Sequence, residues 1–341
     1  MSNTVSRQSF DSIPRCFASC SIGETQDSLP SRLHALSTAG FTQIELSFPD
    51  LQSFATKHLN KEVQEDDYDS LCEAGQEVRR ICQQENLDIF ILQPFANFEG
   101  WEEGSRERQD AFRRAKGWIR IMKSVGTDML QVGSSDSEGI DTDRKTVVQD
   151  LALLADLLAA EGFKLAYENW CWGHASTWRD VYNIVSDLRA QGKSNVGLCL
   201  DSFQTAGSEW ADPTSKTGLN GDSERDANFE RSMHELATTV PADLIYFYQV
   251  SDAYRLKEPM QDKIIDGLRA RGRWSHDWRP LPYQGGYLPV VRVTKAILDT
   301  GFCGTFSVEV FDRERRGTDH VEYAQQAKDS LERLLSECSK A

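Results

Sequence analysis

Eight short apolar runs recur along the chain, each followed by a longer amphipathic segment, and this alternation constrains the fold more than any other feature. The runs are 13–19 (IPRCFAS), 41–47 (FTQIELS), 87–93 (LDIFILQ), 127–133 (TDMLQVG), 163–168 (FKLAYE), 196–201 (VGLCLD), 243–250 (DLIYFYQV) and 304–311 (GTFSVEVF). Their length and content suit buried strands. Helical spacing follows near 28–39, 68–86, 105–125, 143–161, 176–190, 225–238, 289–300 and 319–337. It is clearest at 143–161, where Val147, Leu151, Leu154, Leu157 and Leu158 recur on one face and Gly162 stands at the expected stop. Gly-Phe pairs at Gly40-Phe41, Gly162-Phe163 and Gly301-Phe302 each lead from a helix into the next strand. Eight such repeats predict an α/β (β/α)8 TIM barrel. No G-x-G-x-x-G follows the first strand, which disfavours an open doubly wound sheet.

A chain of 341 residues, 39% hydrophobic and 10% aromatic, can bury the core of one such barrel. The expected domain is 13–341, preceded by a flexible segment 1–12. A formal net charge of −15 argues against binding nucleic acid or an anionic membrane through bulk electrostatics. The N-terminal MSNTVSRQSFDSIP lacks the apolar centre of a signal peptide, and no run approaches the ~20 apolar residues of a membrane span. A cytoplasmic protein is expected. The cysteines at 16, 20, 72, 82, 171, 199, 303 and 338 form no CxxC pair and read as small hydrophobes. Barrels often associate through their helices, so a homo-oligomer stays open, but no residue pattern selects an interface.

Four of the runs close on a polar side chain: Glu168, Asp201, Gln249 and Glu309. In barrel enzymes the carboxyl ends of the strands carry the catalytic groups, so four consecutive strands would bring these side chains to one half of the mouth. Acids at the ends of buried strands are costly unless paired or metal-bound. Three carboxylates and an amide suit one hard or borderline divalent ion, Mg2+, Mn2+ or Co2+. The alternative is four unrelated rim or capping residues.

Two connections exceed ordinary βα loops: a polar stretch at 202–224, and 253–288. The second carries Arg255, Lys257, Lys263, Arg269, Arg271, Arg273 and Arg279 against four acids, together with Trp274, His276, Trp278 and Tyr283. That mixture suggests a cover over an anionic or polyol ligand; its simpler reading is a solvated excursion with a short helix at 261–270.

The stretches AGFTQIELSFPDL, ILQPFANFEGW, YENWCWGH, GLCLDSFQT, YQVSDA, WSHDWRPLPYQGG and SVEVF resemble the 3-dehydroshikimate dehydratases of the xylose-isomerase-like barrel superfamily, over most of the chain from about Ile13 to Phe311. The resemblance implies a lyase that converts 3-dehydroshikimate, a small anionic cyclic hydroxy-keto acid, to protocatechuate and water in quinate and shikimate catabolism. It implies Glu168, Asp201, Gln249 and Glu309 as ligands of the divalent ion. Three departures fall on the substrate side. Gln204 stands where relatives usually read Asp-Ser-Phe-His, Ala96 stands where an arginine is common, and ASCSIGET lacks an expected basic residue and histidine.

Such a dehydration needs a polarised ketone, a base for the α proton and an acid for the departing hydroxyl. Of six histidines, His34, His234 and His320 fall in helices or at their starts and His58 in the second-strand loop. His174, six residues after Glu168, is the first candidate for proton transfer, and His276 the second. Arg279 would grip a substrate carboxylate with two N–H groups. Glu45, Gln93, Glu99 and Gln204 would bind hydroxyls, and Trp172 with Trp170 would wall the pocket. Other readings keep the same cage: a sugar or inosose isomerase, epimerase or dehydratase with Glu168 and Glu309 as the proton-transfer pair, or a catalytically silent barrel that binds a small acid.

Overall fold

A computed structural model describes residues 12–221 and 223–339. The expected N-terminal segment 1–12 therefore lies, save for Ser12, outside the described residues. Eight parallel strands close a barrel: β1 (Arg15–Ala18), β2 (Gln43–Ser47), β3 (Asp88–Phe95), β4 (Met129–Gly133), β5 (Lys164–Glu168), β6 (Val196–Asp201), β7 (Ile245–Val250) and, after the short β8 (Trp278–Arg279), β9 (Thr305–Val308). β9 returns to β1 and completes the ring. Each expected strand is present: β6 keeps its expected bounds, β3 runs two residues further, to Phe95, and the others are shorter at one end or both.

The helices follow their local signals. Ser28 accepts from the Ser31 backbone N–H at the start of Leu29–Ala39, and Thr177 with Asp180 forms a full capping box before Trp178–Ala190. Gly40, Gly162 and Gly301 take φ of +88°, +76° and +90°, which explains why glycine ends each of those three helices.

Inside the barrel the parity of each strand sets the layers. Ile91, Met129, Ala166, Cys199 and Phe247 fill the lower interior as an apolar plug. Two residues further toward the carboxyl ends, the same inward rows carry Gln93, Gln131, Glu168, Asp201 and Gln249, and Glu45 on β2 stands in register with Ile91.

Four expectations are corrected. The 202–224 stretch opens with a helix, Ser202–Glu209, because Asp201 caps it, accepting from the N–H of Phe203 at 2.5 Å and of Gln204 at 3.1 Å. His58 ends a helix, Phe48–His58, that begins directly after β2 with proline in its first turn. In the 253–288 connection the helix is Ala270–Asp277, not 261–270. Asp266 and Gly267 both take positive φ and form a turn there instead. Finally, 304–311 divides: β9 ends at Val308, and β10 (Phe311–Asp312) pairs antiparallel with β8 outside the barrel. Among the described residues no helix is long and apolar enough to cross a membrane.

Candidate active site

Glu168 at the end of β5, Asp201 at the end of β6 and Glu309 just beyond β9 each offer a carboxylate oxygen, all within 4.8 Å of one another and all buried. Burial pushes the Glu168 and Asp201 carboxyls above their ordinary values and Glu309 up to about 7, against the pull of Arg279, and repulsion from neighbouring acids adds to it at Glu168 and Glu309. Glu168 Oε1 is buried without a partner. Crowded acids and an orphaned oxygen fit a hard divalent ion, whose charge would relieve the repulsion.

Gln249, expected as the fourth ligand, pairs in register with Asp201. Its amide is engaged on both ends: Nε2 donates to Glu45 Oε2 at 2.8 Å, and Oε1 accepts from Cys199 Sγ at 3.1 Å. Glu45 thus sits beneath the mouth, its carboxyl pushed well up by burial and by Glu309. It is absent from the cavity wall where a substrate hydroxyl would bind.

The cavity above the cage has a volume of about 910 Å³, and Gln93, Glu168, Trp172, Gln204, His276 and Arg279 are among its lining residues. Trp170 stacks on Trp172 with ring centroids 5.2 Å apart. Gln93 Nε2 reaches Glu309 Oε1 at 3.4 Å. Gln204 Oε1 accepts from the Cys171 N–H at 2.9 Å, which fixes the amide with Nε2 as the atom left for a ligand.

Arg279 is placed differently from the expectation of a free carboxylate grip. It is fully buried, with Nη2 2.5 Å from Asp201 Oδ2 and Nη1 3.0 Å from Glu309 Oε2. Nε donates to Ser251 Oγ, Nη1 also reaches Ser275 Oγ, and the guanidinium lies 4.6 Å from the Phe203 ring. Only one N–H, on Nη2, is left without a protein acceptor, so a two-pronged grip on a ligand would require breaking an existing bond. Two other arginines of the loop serve backbone carbonyls: Arg273 donates within the loop to those of Gln261, Lys263 and Leu268, and Arg271 ties the loop to those of Gly207 and Ala211 in the preceding connection.

His174 also departs from expectation. Its Nε2 lies 3.0 Å from Glu99 Oε1 and 3.3 Å from Tyr167 Oη, and it does not line the cavity. Glu99 also accepts from Tyr167 Oη and the Ser135 N–H. Against burial, His174 holds the Glu99 carboxyl below its ordinary value. Glu99 and His174 brace each other, and neither is among the residues that line the cavity. His276 does stand in the wall; desolvation keeps its imidazole below the ordinary value, against the charge of Asp277.

Sequence reasoning missed Gln131 and the donor role of Trp170, both of which hydrogen-bond Glu168 Oε2. Gln131 carries a signal in its parity: it lies two residues before Gly133 on β4 and so shares its inward face.

The sequence profile of the xylose isomerase-like TIM barrel family matches residues 33–337. The chain belongs to this family. Within it, the chain is 29% identical to a 3-dehydroshikimate dehydratase of Neurospora crassa over 317 residues, 89% of this chain and 84% of that protein. It is also 29% identical to the 3-dehydroshikimate dehydratase of Pseudomonas aeruginosa, covering 87% of this chain but only 38% of that longer protein. Among solved structures, a xylose isomerase-like TIM barrel/4-hydroxyphenylpyruvate dioxygenase fusion protein superposes with a TM-score of 0.73 at 26% identity, over 96% of this chain and 43% of the fusion. The IolI protein with a bound zinc atom shares the barrel, with a TM-score of 0.68 at 19% identity over 95% of this chain and 99% of IolI.

Proposed function

We propose that this barrel is a metal-dependent hydro-lyase that converts 3-dehydroshikimate to protocatechuate and water, in the catabolism of quinate and shikimate. The observation that carries the reading is a buried three-carboxylate cage under an open cavity, in a chain whose curated relatives share that one activity. Glu168, Asp201 and Glu309 would hold the ion, with Gln249 beside them. Held there, a divalent ion supplies Lewis-acid polarisation of a ketone.

The remaining chemistry falls to the protein. His276, kept neutral in the cavity wall, takes the proton α to the ketone and gives it to the β hydroxyl, which departs as water. A second ring proton is then lost while the ketone oxygen gains one to become a phenol hydroxyl, so one molecule of substrate yields one of product and one of water. Gln204 Nε2 and Gln93 are placed to hold substrate oxygens, and Trp172 closes one wall. Arg279 bridges Asp201 and Glu309 and would offer its remaining N–H to the ligand.

The test is direct. Protein loaded with Mg2+, Mn2+ or Co2+ is mixed with 3-dehydroshikimate, and catechol absorbance is followed. A rising signal that chelator abolishes and metal restores is expected; silence with all three ions would remove the dehydratase reading. Aldose and inosose substrates in the same assay, followed by product chromatography, address the isomerase alternative.

A further inference from the structure

Glu168 has two very different oxygens. Oε2 accepts from Trp170 Nε1 at 2.8 Å and from Gln131 Nε2, whereas Oε1 is equally buried and has no partner at all. The terminal torsion of a glutamate is soft and nearly two-fold, so nothing in the side chain itself decides which oxygen turns toward Asp201 and Glu309. The donors decide it. With both N–H groups on Oε2, Oε1 is left as the oxygen free for a ligand.

The indole that makes this choice has a dedicated seat. Gly133 closes β4, and a Cβ placed there would stand 2.1 Å from Cε2, 2.3 Å from Cζ2 and 2.6 Å from Nε1 of Trp170. Gly133 is not among the positive-φ residues, so its backbone would accept any side chain, and space alone requires glycine. Ser134 Oγ holds the Trp170 backbone N–H at 3.0 Å, and Trp172 stacks on the ring at an interplanar angle of 27°. An aromatic wall needs none of the N–H geometry; phenylalanine would serve as well.

We propose that Trp170 is a positioning residue for the metal cage: its indole N–H, seated by Gly133, turns Glu168 Oε1 into the ligand position. The inference rests on the metal reading of the cage and not on the identity of the substrate. Outer partners of metal-ligating carboxylates typically change affinity by about 10–100-fold when removed.

The test measures metal binding without turnover. Co2+ affinity is determined by equilibrium dialysis for the wild type, W170F and W172F, with the visible Co2+ spectrum recorded for each and melting temperatures compared in chelator. W170F, which keeps the ring and loses the N–H, should bind Co2+ about 10–100-fold more weakly and with an altered spectrum, while its melting temperature in chelator stays near that of the wild type. W172F should bind as the wild type does. W170F within threefold of the wild type, or W172F as impaired as W170F, would overturn the proposal while leaving the metal reading standing. A wild type that binds no divalent ion would overturn both. Should W170F not fold, Gly133→Ala, which displaces the indole without removing it, carries the same expected loss and the same overturning result.

Discussion

Arg279 and Asp201 share a fully buried ion pair, Nη2 to Oδ2 at 2.5 Å, in the floor of the cavity. The same guanidinium reaches Glu309, so one cation answers two of the three cage carboxylates. Removing one partner of a buried pair leaves an uncompensated charge and costs about 3–5 kcal/mol. Arg279→Met should therefore melt at a clearly lower temperature in chelator. Excess Mn2+ should recover more of that loss in the variant than it adds to the wild type. Thermal unfolding with and without metal checks both statements, and an unchanged melting temperature in chelator would contradict the first.

The pH dependence has a definite sign. The Glu309 carboxyl is pushed by burial from its ordinary 4.5 up to about 7. Between those values the folded chain holds a proton that the unfolded chain has lost, so this group's stabilisation is full below about 4.5 and disappears as pH rises through about 7. The stability of the metal-free wild type should fall from pH 5.5 to 8 relative to Glu309→Gln. Metal affinity should rise across the same interval, because the ion displaces that proton. Chemical denaturation and Co2+ titration at stepped pH measure the two trends.

The two candidate histidines separate cleanly. His276→Asn should lower kcat by about 10²–10⁴-fold with metal content unchanged. His174→Ala removes the imidazole that Glu99 is bonded to inside the wall, which should cost about 1–3 kcal/mol of stability and leave kcat near normal. Steady-state kinetics beside metal analysis decides; the reverse pattern would return His174 to the mechanism.

Gln204 tests the polarity of the cavity. Gln204→Glu is nearly isosteric and can still accept from the Cys171 N–H, but it presents an anionic acceptor where an N–H donor stood. For an anionic substrate, KM should rise by about tenfold or more, the worth of one hydrogen bond, with a smaller change in kcat. A KM unchanged in this variant would show that Nε2 holds no substrate oxygen.

The barrel was legible because each strand announces itself by an apolar run and each helix by its spacing and cap; β6 was bounded to the residue as Val196–Asp201. The acids of the cage followed from strand position alone. The direction of a loop was not legible. His174 follows Glu168 by six residues, yet the turn closed by the Gly173 N–H on Trp170 O, and the bond from the His174 N–H to Ser135 O, carry its ring behind the wall. Nor could composition tell that Arg271 and Arg273 bond their own loop's neighbours, since a guanidinium serves a backbone carbonyl as readily as a ligand. The helix Ser202–Glu209 was hidden because its start depends on Asp201, a residue already assigned another duty.

The plug of Ile91, Met129, Ala166, Cys199 and Phe247 makes this barrel a cup and not a pipe. An ion on the three carboxylates would lie beneath whatever occupies the cavity above them, so its exchange should slow when that cavity is filled.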